Sequence, residues 1–238
     1  QPSLSLGPFT FYSFGLLVAV GFIVGGWVLH RRAVVQGFSE RLVNRLLTWV
    51  IGFGLAGAVL LRAVFFGGDG AFFTLPGGLP VGLYSFGGIV SAVAAAVWLA
   101  FRDSEARRRP LVFLDLLAYA FPFGWLFGRL GCFTAHDHPG ILTDSWILSA
   151  FLRRLLRAGL LEALATAGIC LLFWQLGKQS RRPGFFLGLF LTIYGPLRIG
   201  LTQVNTPVEG AAVHPDLICA IVAGFCGIVL LACTAVRK

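Results

Sequence analysis

The sequence predicts an all-α integral membrane protein. The expected form has seven transmembrane helices, an outside N-terminus, a cytoplasmic C-terminus, and a periplasmic loop with an amphipathic helix around 132–157. Three observations carry this. Of the 238 residues, 57% are hydrophobic and only 12% are charged, whereas a soluble domain carries about 25% charged residues; mean hydropathy is +0.85. Seven apolar stretches approach the roughly 20 residues that a helix needs to cross hydrocarbon. Basic residues gather in alternate connections between those stretches, the mark of cytoplasmic loops.

The spans fall at about 9–29, 46–66, 81–101, 111–131, 158–176, 184–204 and 214–236. They are read as helices because lipid offers an open backbone no hydrogen-bond partners. The first is expected to be a retained helix rather than a removable leader, and the lack of any methionine is read as a lost initiator. With no repeat in evidence, residues 1–238 are expected to form one transmembrane domain.

Orientation follows from charge. Arg31, Arg32, Arg41 and Arg45 follow the first span, Arg102, Arg107, Arg108 and Arg109 the third, and Lys178, Arg181 and Arg182 the fifth. Arg237 and Lys238 close the chain, so thirteen of the nineteen basic residues lie on one side. The opposite side holds only Arg153, Arg154 and Arg157. The crowded side is therefore expected to be cytoplasmic. The same pattern explains the formal net charge of +9 without nucleic acid as a partner.

Small-residue faces mark where helices meet. Gly21 to Gly26 reads G-x-x-x-G-G, Gly52 to Gly57 reads G-x-G-x-x-G, and alanines run from Ala92 to Ala96. Dinucleotide fingerprints need a strand–turn–helix setting, so close helix packing is the reading here. The glycine- and proline-rich stretch from Gly67 to Pro80 reads as an outer loop. Residues 141–157 have apolar positions at helical spacing and a basic end, the pattern of a helix lying on the outer face. Cys132, Cys170, Cys219, Cys226 and Cys233 lie in or beside apolar segments without a C-x-x-C pair. They read as buried thiols, with no disulfide framework.

Chemistry concentrates around Phe121 to Gly140, F-P-F-G-W-L-F-G-R-L-G-C-F-T-A-H-D-H-P-G. Arg62, Arg129 and Arg198 all fall inside spans. Each lies in the later half of an outward-running span, so the three are expected at one depth toward the outer leaflet. A single intramembrane arginine is commonly a snorkelling anchor. Three at one level with few acids nearby point to a receptor for an anionic headgroup. Asp115 and Glu162 are their acidic company. Both are read as structural partners, and Glu162 lies where it can pair with an arginine.

His136, Asp137 and His138 have two functional readings beside that of a solvated polar loop. Imidazole and carboxylate are good metal ligands, with His214 and Asp216 as distant completion, but two or three groups make an incomplete site and no metal is assigned. General acid–base work is the stronger reading, because histidine titrates near neutral pH and an adjacent aspartate can orient it. Cys132, three residues past Arg129, is either a thiol nucleophile or an inert buried thiol.

These residues resemble the bacterial prolipoprotein diacylglyceryl transferases. P-F-G-W-L-F-G-R-L-G-C-F-T-A-H-D-H-P-G is similar to the family signature P-F-G-x-x-x-G-R-x-G-N-F-x-N-G-E-x-x-G. The likeness covers most of the chain. L-G-P-F-T-F-Y-S-F-G resembles the family's first span, Y-S-F-G-G-I-V its F-H-G-G-L-x-G, L-L-E-A-L its L-Y-E, and I-Y-G-P-L-R its G-Y-G-x-F-R. The resemblance implies seven spans and transfer of the diacylglyceryl group of phosphatidylglycerol to a lipobox cysteine thiol, releasing glycerol phosphate. It implies an anionic phospholipid and a prolipoprotein signal peptide as partners, and no cofactor. Arg129 and Arg198 would neutralise the phosphate. Gly87, Gly88, Gly128, Gly131 and Gly140, with Arg62 and Glu162, would border the lipid.

Several family positions differ. Phe86 stands where the family has histidine, Cys132 at the signature asparagine, and Asp137 at the glutamate. Phe14 stands at a tyrosine, with Tyr12 two residues away, and Thr202 at an acid after the last arginine. Three functions therefore stay open: lipoprotein diacylglyceryl transfer with a relocated base at His136 or His138, transfer of a lipid or headgroup to another acceptor, and lipid binding without catalysis.

Overall fold

The computed structural model describes residues 3–6, 9–66, 73–74, 80–81, 84–135, 158–204 and 215–236. Its helices are α1 (Ser13–Val35), α2 (Glu40–Phe66), α3 (Ser85–Arg102), α4 (Ser104–Arg108), α5 (Pro110–Ala135), α6 (Ala158–Leu176), α7 (Phe185–Val204) and α8 (Pro215–Val236). Among the described residues five of them, α1, α2, α3, α5 and α8, are long and apolar enough to cross a membrane, and α6 and α7 are shorter apolar helices. This is a helical membrane protein. Its many exposed large hydrophobics, among them Ile23, Val64, Phe101 and Phe225, are what a lipid-facing surface requires.

Two boundaries differ from expectation. The first span begins at Ser13 rather than residue 9, because Phe9–Tyr12 (β2) pairs antiparallel with Ser3–Leu6 (β1). S-L-S-L alternates with period two, and the Gly7-Pro8 pair between the strands is a turn signal. The second helix starts six residues early at Glu40, since E-R-L-V-N-R already has an apolar face: Leu42 and Val43 are buried while Arg41 is exposed. Within the 67–80 stretch, Phe73–Thr74 (β3) and Pro80–Val81 (β4) form a two-residue ladder. The expected helix at 141–157 lies outside the described residues.

The chain divides into two compact units, Gln1–Leu29 with Asp115–Lys238, and His30–Leu114. In the first, α1 packs antiparallel on α5. Ser13 Oγ donates to Thr134 Oγ1 at 3.3 Å at one end, and Gly21 faces Gly124 further along. A Cβ at Gly21 would lie 2.6 Å from the Gly124 carbonyl oxygen. The small-residue face read from the sequence is thus a helix seam. An aromatic cluster of Tyr119, Phe173 and Phe186 joins α5, α6 and α7. On α8, Gly227 lies against Thr192 and Gly224 against Gly195 of α7.

Asp115 sets how α5 and α7 are aligned. Its carboxylate accepts from the backbone N–H of Gly184 at 2.7 Å and of Leu187 at 2.8 Å. Those donors belong to the first turn of α7 and have no partner within the helix, and the negative charge suits a helix N-terminus. At the same end, Arg182 Nη1 donates to the Thr234 and Ala235 carbonyls, closing the last turn of α8.

In the second unit, α2 and α3 form an antiparallel pair with a glycine seam. Cβ atoms at Gly87 and Gly88 would stand 2.6 Å and 3.1 Å from the carbonyl oxygens of Gly57 and Gly54. The polar end of this pair is tied by acids. Asp103 accepts from Glu105 N and Ala106 N, capping α4, and takes Arg45 Nη1 at 2.7 Å. Glu105 accepts from Ser39 N and Ser39 Oγ. Gly37, with φ at +73°, ends α1 in the left-handed conformation that glycine adopts without strain.

The cysteines split. Cys170 is buried, but Cys219, Cys226 and Cys233 are exposed along α8, so the expectation of uniformly buried thiols is corrected. A thiol behaves as a small hydrophobe, and a lipid-facing helix shields it from water as a protein core would.

Candidate functional site

Glu162, on the second turn of α6, is buried, with 5% of its surface exposed. Its Oε2 pairs with Arg129 Nη1 at 2.5 Å, and its Oε1 accepts from Arg198 Nη1 at 3.0 Å. Arg129 is itself buried, and Arg198 is partly exposed. The Arg129 guanidinium also lies over the Trp125 ring, 4.3 Å from its centroid. Trp125 precedes Arg129 by one helical turn on α5, the spacing at which side chains meet.

The geometry has a simple origin. The step from Asp115 to Arg129 and the step from Gly184 to Arg198 are both fourteen residues. With Asp115 bonded to Gly184, parallel helices rising about 1.5 Å per residue carry both arginines to one level. The antiparallel α6 then presents Glu162 between them. One carboxylate against two guanidinium groups leaves the cluster with a net charge of +1. A buried charge is costly unless paired. Arg129 Nε and Glu162 Oε2 are buried without a hydrogen-bond partner among the described residues, Oε2 engaging Arg129 only as an ion pair, and a buried polar atom left so costs about 1–3 kcal/mol. Two guanidinium groups sharing one carboxylate suit an anion, above all a planar or tetrahedral oxyanion that can take a guanidinium fork.

The structure thus brings together Arg129, Arg198 and Glu162. Gly131 on the same helix lies against Phe14, whose ring would be 3.0 Å from an added Cβ, while Gly128 has open space at that position. Gly87 and Gly88 sit in the α2–α3 seam, where packing accounts for both. Arg62 is half-buried near the end of α2, in the second unit. Phe86, also in that unit, packs against Tyr84 with ring centroids 5.9 Å apart. His136, Asp137, His138, Gly140 and His214 lie outside the described residues, as does the side chain of Thr202. Among the described residues no group of three metal-ligating side chains occurs. Trp125 was not singled out from the sequence, although its position four residues before Arg129 was visible there.

Fold and site define a class: a helical membrane protein holding two arginines on one buried carboxylate within its apolar segments. The family model of prolipoprotein diacylglyceryl transferase matches residues 2–234, a range that runs across both units. The phosphatidylglycerol–prolipoprotein diacylglyceryl transferase of Chromohalobacter salexigens is 30% identical over 228 residues, covering 86% of this chain and 79% of the relative. The protein of the same name from Nitratidesulfovibrio vulgaris is 30% identical over 222 residues, covering 86% and 80%. That from Vibrio atlanticus is 30% identical over 219 residues, covering 86% and 77%. The chain belongs to the prolipoprotein diacylglyceryl transferase family, and it is a transferase of the membrane.

Proposed function

We propose that the chain binds phosphatidylglycerol through Arg129 and Arg198 and transfers its diacylglyceryl group to the cysteine thiol of a prolipoprotein signal peptide. The observation that carries this is the Arg129–Glu162–Arg198 cluster, with its net positive charge and unused Arg129 donor. In the reaction the cysteine sulfur forms a bond to the glyceryl carbon as the bond from that carbon to the phosphate oxygen breaks. Glycerol phosphate leaves with the bonding pair. Guanidinium groups that bind the phosphate more tightly as its charge grows lower the barrier. The thiol proton goes to a base, since the thiolate is the nucleophile. Phe86 cannot take it, and His136 or His138, with Asp137 between them, is the proposed acceptor.

We further place the chain as seven spans in a bacterial inner membrane with the N-terminus outside. At 19 and 20 residues, α6 and α7 are about 28–30 Å long, close to the ~30 Å hydrocarbon thickness. The basic ends of the helices then face the cytoplasm, and Arg129 and Arg198 lie toward the outer leaflet.

The test is incubation of the purified chain with radiolabelled phosphatidylglycerol and a lipobox peptide. Label on the peptide together with released glycerol phosphate is the expected result. Release of glycerol phosphate with the peptide unmodified would move the activity to another acceptor, the reading that Phe86 favours. Neither product would overturn the proposal.

A further inference from the structure

A second polar feature lies wholly within the unit His30–Leu114 and uses neither Arg129 nor Arg198. Where α2 begins and α3 ends, a cleft of about 380 Å³ opens between Arg45, Trp49, Trp98, Arg102 and Ser104. Its inner wall is aromatic. The Trp49 and Trp98 rings lie 5.2 Å apart, and Trp49 continues to Phe53 at the same separation. Trp98 and Phe53 are exposed, and Phe53 lies one turn further along α2 than Trp49, so an apolar track leads from the cleft along α2.

The charges do not cancel. Asp103 is the acid of the cleft, and its capacity is already used: Oδ2 holds Arg45 Nη1 at 2.7 Å, and Oδ1 accepts from Glu105 N and Ala106 N. Glu105 is committed to Ser39. Arg102 has no hydrogen bond or ion pair among the described residues. A guanidinium beside two indole rings, at the boundary between an apolar helix pair and its polar end, matches a lipid at the membrane surface. Tryptophan favours the headgroup level, and basic pockets between transmembrane helices bind anionic headgroups.

We propose that this cleft binds the phosphodiester headgroup of an anionic phospholipid. Arg102 takes the phosphate, Ser104 and Arg45 border it, and the acyl chains lie along Trp98 and Phe53. On the orientation proposed above, this lipid belongs to the cytoplasmic leaflet. The cleft itself stands on its residues in either orientation.

Four chains in phosphatidylcholine nanodiscs decide this: the parent, Arg129→Ala, Arg102→Gln and the double variant. Dioleoyl phosphatidylglycerol is titrated in, and retained lipid is read by native mass spectrometry. Arg102→Gln should weaken one class of bound phosphatidylglycerol about tenfold, the range of one charge-assisted hydrogen bond. The loss should be the same with and without Arg129→Ala, as for independent sites. A null result from Arg129→Ala alone would count against the headgroup site of the proposed function and leave the cleft standing. Trp98→Leu keeps both charges and should also weaken retention, which serves if Arg102→Gln does not fold. Phosphatidylglycerol retention unchanged in folded Arg102→Gln and Trp98→Leu chains would overturn the proposal. So would equal Arg102-dependent retention of phosphatidylcholine. Inorganic phosphate alone displacing the lipid at equal concentration would assign the cleft to a soluble anion instead.

Discussion

Arg129 and Arg198 reach the two oxygens of one carboxylate from parallel helices. Each guanidinium is thereby oriented and partly neutralised by the one carboxylate they share. On the function proposed above, the same arrangement receives the lipid phosphate.

Replacing either arginine by alanine should weaken phosphatidylglycerol binding about tenfold or more, since a charge-assisted hydrogen bond contributes roughly 1.5–3 kcal/mol. Lysine should restore only part of it, lacking the planar fork. Equilibrium binding in mixed nanodiscs measures this, and alanine variants that discriminate phosphatidylglycerol from phosphatidylcholine as the parent does would contradict it.

Glu162→Gln leaves two guanidinium groups without their counter-charge. Breaking a buried pair from one side costs about 3–5 kcal/mol, so the melting temperature in neutral detergent should fall sharply. Anionic lipid should then stabilise the variant more than the parent, because the lipid phosphate supplies the missing charge. Thermal unfolding with and without phosphatidylglycerol checks both statements.

Gly87→Ala should destabilise by about 1–3 kcal/mol through overpacking, because its Cβ meets backbone, 2.6 Å from the Gly57 carbonyl oxygen. Gly128→Ala, with open space at that position, should unfold at nearly the parent temperature. A comparison of the two melting curves separates a seam glycine from a solitary one.

His136→Gln or His138→Gln should lower turnover about 10²–10⁴-fold, the usual range for loss of a general base, while phospholipid binding survives. Full activity in the double variant, without added metal, would show that the proton goes elsewhere.

Cysteines introduced singly at 136–145 should react with an impermeant maleimide from outside, and those at 102–109 only after the membrane is opened. The reverse pattern would invert the molecule and place the arginines in the other leaflet.

The helices were legible because a run of apolar residues has few other uses in a lipid layer; the ends of α5 and α6 lie within a few residues of where composition puts them. Glu162 was legible as a partner because acids inside spans are few. The Asp115 contact was not. Its donors are backbone N–H groups 69 and 72 residues away, and a helix N-terminus leaves no side-chain pattern to match. Only the second strand, Phe9–Tyr12, falls within the expected first span, because F-T-F-Y is rich in aromatic residues and leads straight into the helix.

The bond between Asp115 and Gly184 has an evolutionary consequence. Removing one residue between 115 and 129 would turn Arg129 by about 100° and lower it by about 1.5 Å, carrying its guanidinium off Glu162 while Arg198 stayed in place. The same deletion in the connection between α6 and α7, short of Gly184, would leave both arginines in register. Drift in length is therefore tolerable on one side of that bond and ruinous on the other, so the two fourteen-residue segments should evolve by substitution alone.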